Sequence, residues 1–527
     1  MNMKRKIYAQ VYILIILAFI IILSGCNKLL DVTPENKKTA SDFWQVKGEV
    51  EAAMVGCYSS LQTAMKRFFV WGEVRGEIIQ IDLQFNTISL GTGWTNNQGM
   101  YEMNSQAIDD KNPMAQWGDI YTAINRLNTV IAYAPGVQQK DATFSRKELG
   151  YYIGECKALR ALCYFYLART FYQFPYITQA SLTDQQNYQV KPLNASQVMD
   201  SITSELLSAE KIVRSNFDTI VFSDPGLQVA YDKGRITLPA VRAILADVYL
   251  TNNNYAAAEQ YAGSLIDFMP SAQYQLVSGA NWFSIFSPGN SSEGIFELQF
   301  SQKYSNPGDF AKWFSNVNGG VNWFSNHLNK NTETYKYWEG NDYKNLLTND
   351  IRGAGNTYVA TNGSLIWKWA GLASGGSSTN ARDGNSWDAH YIFYRYADII
   401  LMEAEALNRL NRSRDAAQML LVIRQRAGYT QTSLTYSSVE DLEDQILDER
   451  ARELAFEGKR WFDLVRIAKR RNDYTVIAKR LADFWALPNE QSVWYAKVSD
   501  PMSWYMPIYY TELTSNVNLV QNPFYKH

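Results

Sequence analysis

Histidine and cysteine are scarce in this 527-residue chain, which has three histidines and four cysteines. His327 and His390 have no partner at the spacing of metal ligands, and no paired nucleophile and base or phosphate-binding loop stands out. Hydrolytic, phosphoryl-transfer and metal-dependent catalysis would each need one of those groups. The sequence therefore predicts a protein that is not an enzyme and that holds no cofactor and no metal.

Three of the four cysteines fall in the body of the chain, at Cys57, Cys156 and Cys163. Their odd number and lack of metal-type spacing argue against a disulfide framework and a zinc site. Cys156 and Cys163 lie seven residues apart on a predicted helix. That separation is a rise of about 10 Å, which exceeds the reach of a disulfide. We expect both to be small buried hydrophobic residues.

An excess of charge of either sign is also absent. The net charge is -2, and 19% of the residues are charged. This balance provides no field that would gather nucleic acid and no polybasic patch for anionic lipid. Nucleic-acid partners are therefore excluded from the predicted functions.

The first 26 residues have the order of a secretory signal. Basic residues over 4–6 precede an apolar run over 7–23, and the run ends in Leu23-Ser24-Gly25-Cys26. A small residue before a cysteine at this point is the pattern of a bacterial lipoprotein signal. In that pattern the thiol is lipidated, and the chain is cut just before it.

The sequence therefore predicts a lipoprotein signal peptide over 1–25, a lipidated Cys26 and a polar tether over 26–40. Stable anchoring needs more than one acyl chain, at about 0.8 kcal/mol per buried methylene, and a triacylated cysteine meets that condition. The alternative is a transmembrane anchor, because the run is near the roughly 17-residue lower limit for spanning a bilayer. The spacing of the residues before Cys26 favours the signal.

Apolar residues recur at helical spacing over much of the remaining chain. The predicted fold class is therefore all-α in the main. Helices are predicted over 49–69, 114–134, 145–174 and 195–215.

Two helical hairpins are predicted over 237–268 and 394–427. Alanines stand at equal spacing in the two, at Ala246, Ala258, Ala404 and Ala416. This is the small-residue pattern of a tetratricopeptide repeat, but two repeats are fewer than the three or so that a free-standing solenoid needs. The hairpins must therefore pack on the other helices within one body over 41–527. A loop-rich insertion over 270–388 separates them.

The segment over 449–466 is rich in charges of both signs. Glu449, Glu453 and Glu457 recur every four residues, with arginines between them. The spacing predicts ion pairs along one helix from 439 to about 469, each worth tenths of a kcal/mol. Paired carboxylates also suit acid–base catalysis, but no nucleophile or metal-ligand set accompanies them, so a structural role is favoured.

Four motifs of the chain resemble those of one family. They are CNKLLDVTP at 26–34, RYADIILMEAEA at 395–406, ERARELAFEGKRWFDLVR at 449–466 and PIYYTELTSNVNLVQNPFY at 507–525. In this order they resemble the SusD/RagB family of outer-membrane nutrient-binding lipoproteins of Bacteroidota. The resemblance runs over essentially the whole mature chain, with 390–527 as the C-terminal family region.

The resemblance implies a SusD-like fold, in which tetratricopeptide-type hairpins support a loop-rich face that captures glycan or peptide. It implies a lipid-anchored protein of the cell outer membrane, exposed at the surface. It also implies a partner, a SusC-like TonB-dependent transporter, to which captured nutrient is passed without covalent chemistry.

Aromatic residues are abundant, at 14% of the chain. Sugar capture uses flat aromatic faces with planar polar groups around them. Two loop-like segments combine both features, 91–98 and 281–338, and the resemblance implies that the ligand is bound by these two regions. The predicted ligand-binding residues are Trp94, Asn96, Asn97, Trp313, Trp323 and Arg75. For each tryptophan, the alternative is a place in the core of its own loop.

Three classes of function remain open. Glycan capture for a transporter is the first, and capture of peptides or protein fragments for the same kind of transporter is the second. A surface scaffold or an enzyme is the third, and the missing catalytic set disfavours it. Loop shape decides which ligand is bound, and the sequence does not specify it.

Overall fold

The computed structural model describes residues 42–81, 97–182, 189–217, 225–267, 274–303, 306, 308, 310–314, 324–325, 350–353, 355–359, 365–485 and 491–526. Helices dominate these residues, so the prediction of a mainly α-helical fold is confirmed. In chain order the helices are α1 (Lys47–Glu73), α2 (Asn97–Asn104), α3 (Gly118–Lys140), α4 (Arg146–Thr170), α5 (Ala195–Glu210), α6 (Pro225–Gly234), α7 (Leu238–Thr251), α8 (Tyr255–Asp267), α9 (Trp367–Ala370), α10 (Tyr396–Arg409), α11 (Ser413–Arg426), α12 (Val439–Glu453), α13 (Arg460–Arg471), α14 (Thr475–Trp485), α15 (Gln491–Val498) and α16 (Tyr510–Ser515).

The first long helices pack on one another in sequence order, α1 on α3, α3 on α4 and α4 on α5. Small residues on α4, including Ala158 and Ala161, are fully buried and let the neighbouring backbones approach closely. A capping box starts this helix. The Ser145 hydroxyl accepts the Glu148 backbone N–H, and the Glu148 carboxylate accepts the Ser145 backbone N–H at 3.0 Å.

The three cysteines of the body are free and buried, which confirms the prediction for Cys156 and Cys163. Cys156 Sγ lies 3.3 Å from the Met54 Sδ on α1. Burial raises the pKa of the Cys156 and Cys163 thiols above their usual range. Both thiols therefore stay protonated and serve as packing groups.

The two predicted helical hairpins are present as α7–α8 and α10–α11. Each turns at an asparagine with positive φ, Asn253 at 59° and Asn411 at 61°. The four alanines that define the pattern are buried, at Ala246, Ala258, Ala404 and Ala416. Helix α10 also packs on α8, so the hairpins contact each other. Their assignment to the tetratricopeptide class remains a prediction.

Short strands form antiparallel pairs in the described part of the chain: β1 (Gln80–Ile81) with β5 (Phe324–Ser325), β2 (Gln173–Pro175) with β3 (Pro192–Asn194), and β4 (Gly294–Leu298) with β6 (Tyr391–Arg395). Every residue of β4 and β6 is buried. Strand β6 runs directly into α10. The β4–β6 pair therefore joins the insertion to the start of the second hairpin.

The predicted continuous helix from 439 to about 469 is wrong, because the chain breaks between α12 and α13. Phe456 and Gly458 both have positive φ, at 64° and 74°. The Glu73 carboxylate of α1 accepts the backbone N–H groups of Phe456 at 2.7 Å, Gly458 at 2.9 Å and Lys459 at 3.1 Å. A distant side chain thus satisfies the donors that the break leaves without helical partners.

Helix α1 approaches this break closely at Gly72, where a Cβ would lie 1.8 Å from the Gly458 carbonyl oxygen. We expect Gly72→Ala to lower the free energy of unfolding by roughly 3 kcal/mol, because neither backbone can yield without disturbing the Glu73 contacts. Gly48→Ala on the same helix is the control, since nothing lies within 4 Å of its Cβ position. Equal stability of the two variants in urea unfolding would contradict the close approach.

Burial raises the pKa of Glu73 to about 7, against the backbone hydrogen bonds that lower it. A carboxyl with a raised folded-state pKa stabilises the fold fully below its unfolded value of 4.5. That contribution is lost as pH rises through about 7, and it amounts to about 3 kcal/mol. We expect Glu73→Gln to remove this pH dependence, so that the variant gains stability relative to the parent between pH 5 and 8. Parallel stability profiles would rule out this titration.

Candidate ligand-binding face

The β1–β5 pair joins the strand that precedes the first predicted ligand-binding segment to a point within the second. Gln80 pairs with Ser325, and Ile81 pairs with Phe324. Residues 82–90 separate β1 from the first segment, and β5 lies inside the second segment, directly after Trp323. The described backbone therefore places the strand before the first segment against residues of the second. We call the surface built on this pair the loop-rich face.

Asn104, the last residue of α2, holds the base of the first segment. Its Nδ2 donates to the Val74 carbonyl at 2.8 Å and to the Ile79 carbonyl at 3.1 Å. Its Oδ1 accepts the Ile81 backbone N–H at 3.4 Å. Both amide hydrogens are thus used on backbone from α1 to β1, and the side chain is 2% exposed. Helix α2 and strand β1 are thereby held together on either side of residues 82–96.

Trp313 does not form the predicted stacking platform, because it is 2% exposed. Its ring lies edge-on to Phe69 of α1, with centroids 6.4 Å apart, and tilted against Phe310 at 5.9 Å. Lys66 Nζ lies 5.5 Å from the same ring. These contacts make Trp313 a packing residue that holds the middle of the second segment on α1.

Arg75 is also a structural residue rather than the predicted ligand contact. It is 2% exposed, and its guanidinium donates to the carbonyls of Ser503 and Trp504, both at 2.8 Å. It also donates to Gln106 Oε1 and stacks 4.1 Å from the Trp461 ring. Burial lowers the pKa of Arg75 to about 10, so the side chain remains charged at neutral pH.

Of the other predicted site residues, Asn97 lies within the described part of the chain. Asn97 begins α2. Trp94, Asn96, Trp323 and the lipidation residue Cys26 lie outside the described residues. All of them stay predictions.

A buried charge network lies beneath the insertion, centred on Glu453 at the end of α12. Its carboxylate accepts hydrogen bonds from Arg352 at 2.8 Å, Arg395 at 2.6 Å and Arg426 at 2.5 Å. Each of these side chains is 5% exposed or less. The three arginines come from the insertion, from β6 and from α11. One carboxylate therefore fixes three separate parts of the chain.

The neighbouring glutamates continue this arrangement. Glu449 pairs with Arg352, Arg424 and Arg452. Glu457 pairs with Arg395 and with Lys368, and the Lys368 ammonium also donates to the carbonyls of Glu453 and Ala455. Lys368 lies on α9, so a second point of the insertion is tied to the same network.

The predicted ion pairs along one continuous helix are therefore corrected to pairs that mostly join different elements, with Arg452–Glu449 within α12 and Arg466–Asp463 within α13 as pairs inside one helix. Burial alone would raise the pKa of Glu449, but the guanidinium groups of Arg452, Arg352 and Arg424 hold it below its usual range. The same balance of burial and arginine neighbours lowers the pKa of Glu453. These carboxylates stay ionised, and none is available as a general acid at neutral pH.

In the part of the chain that the structure describes, no group of three or more His, Cys, Asp or Glu side chains could hold a metal ion. No helix within the same residues is both long and apolar enough to cross a membrane. The chemistry that the described face offers is hydrogen bonding and packing.

Two family models match the chain in succession. One, described as "Starch-binding associating with outer membrane", matches residues 28–250, and the other, described as "SusD family", matches residues 282–525. This chain belongs to the SusD/RagB family. Among relatives, SusD-like protein P38 of Formosa agariphila is 26% identical over 505 residues, which cover 85% of this chain and 89% of that protein. SusD-like protein P2 of the same organism is 23% identical, with coverage of 88% and 91%.

Solved structures agree with this SusD-family assignment. A SusD superfamily protein of Bacteroides thetaiotaomicron has a TM-score of 0.70 at 21% identity, covering 92% of this chain and 99% of that chain. Surface glycan-binding protein A of the same organism has a TM-score of 0.66 at 19% identity, covering 91% and 100%. At these identities the likeness establishes the fold, so the predicted SusD-like fold is confirmed.

The structural role of Asn104 at the loop-rich face was not predicted from the sequence. Its sequence neighbours are Met103 and Ser105, within a stretch of mixed polarity. Asparagine in such a stretch usually indicates a turn. A buried asparagine that bonds three backbone groups is recognised only when those groups are seen together.

The network makes a prediction for the stability of this SusD-family protein. Glu453→Gln leaves three buried guanidinium groups without their shared counter-charge, and we expect a loss of roughly 3–5 kcal/mol in the free energy of unfolding. The control is Glu440→Gln on the same helix, whose carboxylate is 63% exposed and lies 3.7 Å from Arg409. That change should stay within about 0.5 kcal/mol. A similar loss in the free energy of unfolding for both variants would show that the buried network contributes no more to stability than an exposed carboxylate does.

Proposed function

We propose that this SusD-family protein captures glycan without catalysis at the outer membrane and delivers it to a SusC-like TonB-dependent transporter. The observation that carries the proposal is the β1–β5 pair, because it joins the strand that precedes the first of the two segments to the second segment, and both segments combine tryptophan with amide side chains. Flat rings with planar polar groups around them suit the apolar and hydroxyl sides of a sugar ring.

The family comparisons support glycan as the ligand class. The family model over residues 28–250 is described as starch-binding, and a protein with the same fold is named a surface glycan-binding protein. Glu449 and Glu453 stay ionised, and Glu73, whose pKa is raised to about 7, is fully buried with its carboxylate on the backbone N–H groups of Phe456, Gly458 and Lys459. This supports capture over hydrolysis, because glycoside hydrolysis needs a carboxylic acid that can reach the substrate and give up a proton.

Delivery to a transporter requires that the ligand leave again. Dissociation constants from micromolar to millimolar correspond to about -8 to -4 kcal/mol. Two or three stacked rings and a few hydrogen bonds on an already ordered base would supply this range.

The same proposal includes the anchor. Residues 1–25 act as the signal peptide, Cys26 carries the lipid, and residues 26–40 form a tether at the cell surface. The description of the family model, which includes association with the outer membrane, supports this placement.

The direct test is affinity electrophoresis of residues 27–527 in gels containing starch, xyloglucan, arabinoxylan, galactomannan or laminarin. We expect at least one polysaccharide to retard the parent, and Trp94→Ala or Trp323→Ala to weaken its binding about tenfold or more. Loss of one stacked ring accounts for roughly 1–2 kcal/mol.

Trp44→Ala is the matched control, because Trp44 stacks on Tyr133 at 5.5 Å at the opposite end of α1 from β1. It should leave retardation unchanged. If no polysaccharide retards the parent and a peptide library binds instead, the ligand class is peptide and glycan capture is refuted.

A further inference from the structure

A cavity lies between α1, α6 and the residues on either side of β4, and its wall includes residues between 288 and 306 of the second candidate segment, before the β5 pairing. Its volume is about 740 Å³, within the range of roughly 300–1,000 Å³ that small-molecule sites occupy. Helix α1 contributes Val55, Tyr58, Ser59 and Gln62. The opposite wall includes Tyr231, Asn290, Gln299, Phe300, Ser301 and His390.

Several ionisable groups in these walls already have protein partners. Arg235 forms a two-point contact with Glu155, at 2.8 and 2.9 Å. Asp388 pairs with Arg382 at 2.6 Å. His390 Nδ1 lies 3.1 Å from Glu297 Oε2, and its Nε2 lies 3.2 Å from the Phe300 carbonyl. A ligand that paired with Arg235 or Asp388 would therefore have to break an existing ion pair.

The uncharged amides, in contrast, keep hydrogen-bonding capacity. Asn290 and Gln299 hold each other in a reciprocal pair, with both N–O distances 2.9 Å. Gln62 Nε2 donates one hydrogen to the Gln299 carbonyl at 2.6 Å. Each amide nitrogen carries two hydrogens, so Asn290 and Gln62 each have a second hydrogen to offer. Their orientation is set before a ligand arrives, which lowers the entropic cost of binding.

Aromatic surface completes the lining. Tyr231 on α6 is 37% exposed. The Tyr58 hydroxyl is engaged with Glu155 and with the Ile236 backbone N–H. The groups that a ligand could contact are therefore aromatic ring surface, the amides of Asn290 and Gln62, and serine hydroxyls. That combination matches a neutral, hydroxyl-rich molecule better than an anion, a cation or a lipid.

One side of α1 runs from the cavity to the contact with Trp313. Val55, Ser59 and Gln62 recur at helical spacing, and Lys66 extends the same stripe by one turn. Lys66 lies over the ring of Trp313, which belongs to the second candidate segment between the cavity wall and β5. The cavity wall at Gln62 is therefore one helical turn, a rise of about 6 Å, from the residue that contacts Trp313.

We infer that this cavity is a second carbohydrate-binding site, which takes a neutral stretch of the same polysaccharide that the loop-rich face holds. The inference rests on the proposed glycan capture. A polysaccharide that reaches from the loop-rich face along α1 binds at both sites. The two linked contacts raise the affinity for long polysaccharides, although the affinity of each separate site stays the same. An oligosaccharide too short to bridge them occupies one site at a time and gains no affinity from the linkage.

The test compares Val55→Arg with the parent. Val55 lines the cavity but is 69% exposed on a helix, so a larger side chain narrows the opening without disturbing the core. The matched control is Val493→Arg, at an exposed valine of α15 that is 52% exposed and is not in the cavity wall. Tyr231→Ala, which removes ring surface, is the second variant. Calorimetry measures binding of the polysaccharide that retards the parent most, and of the trisaccharide cut from it.

We expect Val55→Arg and Tyr231→Ala to weaken binding of the polysaccharide on the order of tenfold or more and to leave the trisaccharide affinity unchanged. Val493→Arg should match the parent for both probes. Unchanged polysaccharide affinity in both cavity variants, with the trisaccharide still bound, overturns the second site and leaves glycan capture intact. Failure of the parent to bind either probe overturns glycan capture itself, and the second site with it.

Discussion

Buried guanidinium groups dictate how the parts of this molecule fit together. Arg352, Arg395 and Arg426 reach Glu453 from three different parts of the chain. If one part moved away, a charge would remain in the interior without its counter-charge, at a cost of about 3–5 kcal/mol. Such a network adds little net stability over an apolar core, but separating its members leaves charges buried without partners. That cost holds Arg352 and Lys368 of the insertion against Glu453 and Glu457.

The spacing of apolar residues predicted the long helices well, because helix formation and the burial of one helix face both depend on residues that are close in sequence. The prediction over 49–69 corresponds to α1, and both hairpins occur where alanine spacing indicated them. The break after Glu453 was missed for a physical reason. Phe456 takes positive φ where Glu73, 383 residues away, accepts its backbone N–H. A window of neighbouring residues cannot show that contact.

The candidate site was predictable as two segments but not as individual side chains. Residue type suggested that Trp313 and Arg75 face a ligand, yet both lie in the interior. Tryptophan fills interior space well when its N–H finds an acceptor, as Trp71 does with the Met114 carbonyl and Trp369 does with the Phe456 carbonyl. Tryptophans in a chain rich in aromatic residues can therefore pack in the interior or bind a ligand. Only their burial in the structure distinguishes the two roles. The pairing of β1 with β5 brings the second segment against the strand that precedes the first, and this is a contact between residues distant in sequence.

A protein that captures a polysaccharide for a transporter must also release it. A single tight site would retain every fragment, including the end of a chain that is already entering a transporter. Two weak sites along one helix face behave differently, because the second contact adds affinity only while one chain spans both. When the polysaccharide is cut or withdrawn from one site, that added affinity is lost at once. The contact that remains at the other site is weak enough to dissociate quickly. Retention then depends on ligand length, and the fixed separation of the sites along α1 sets the length at which it begins.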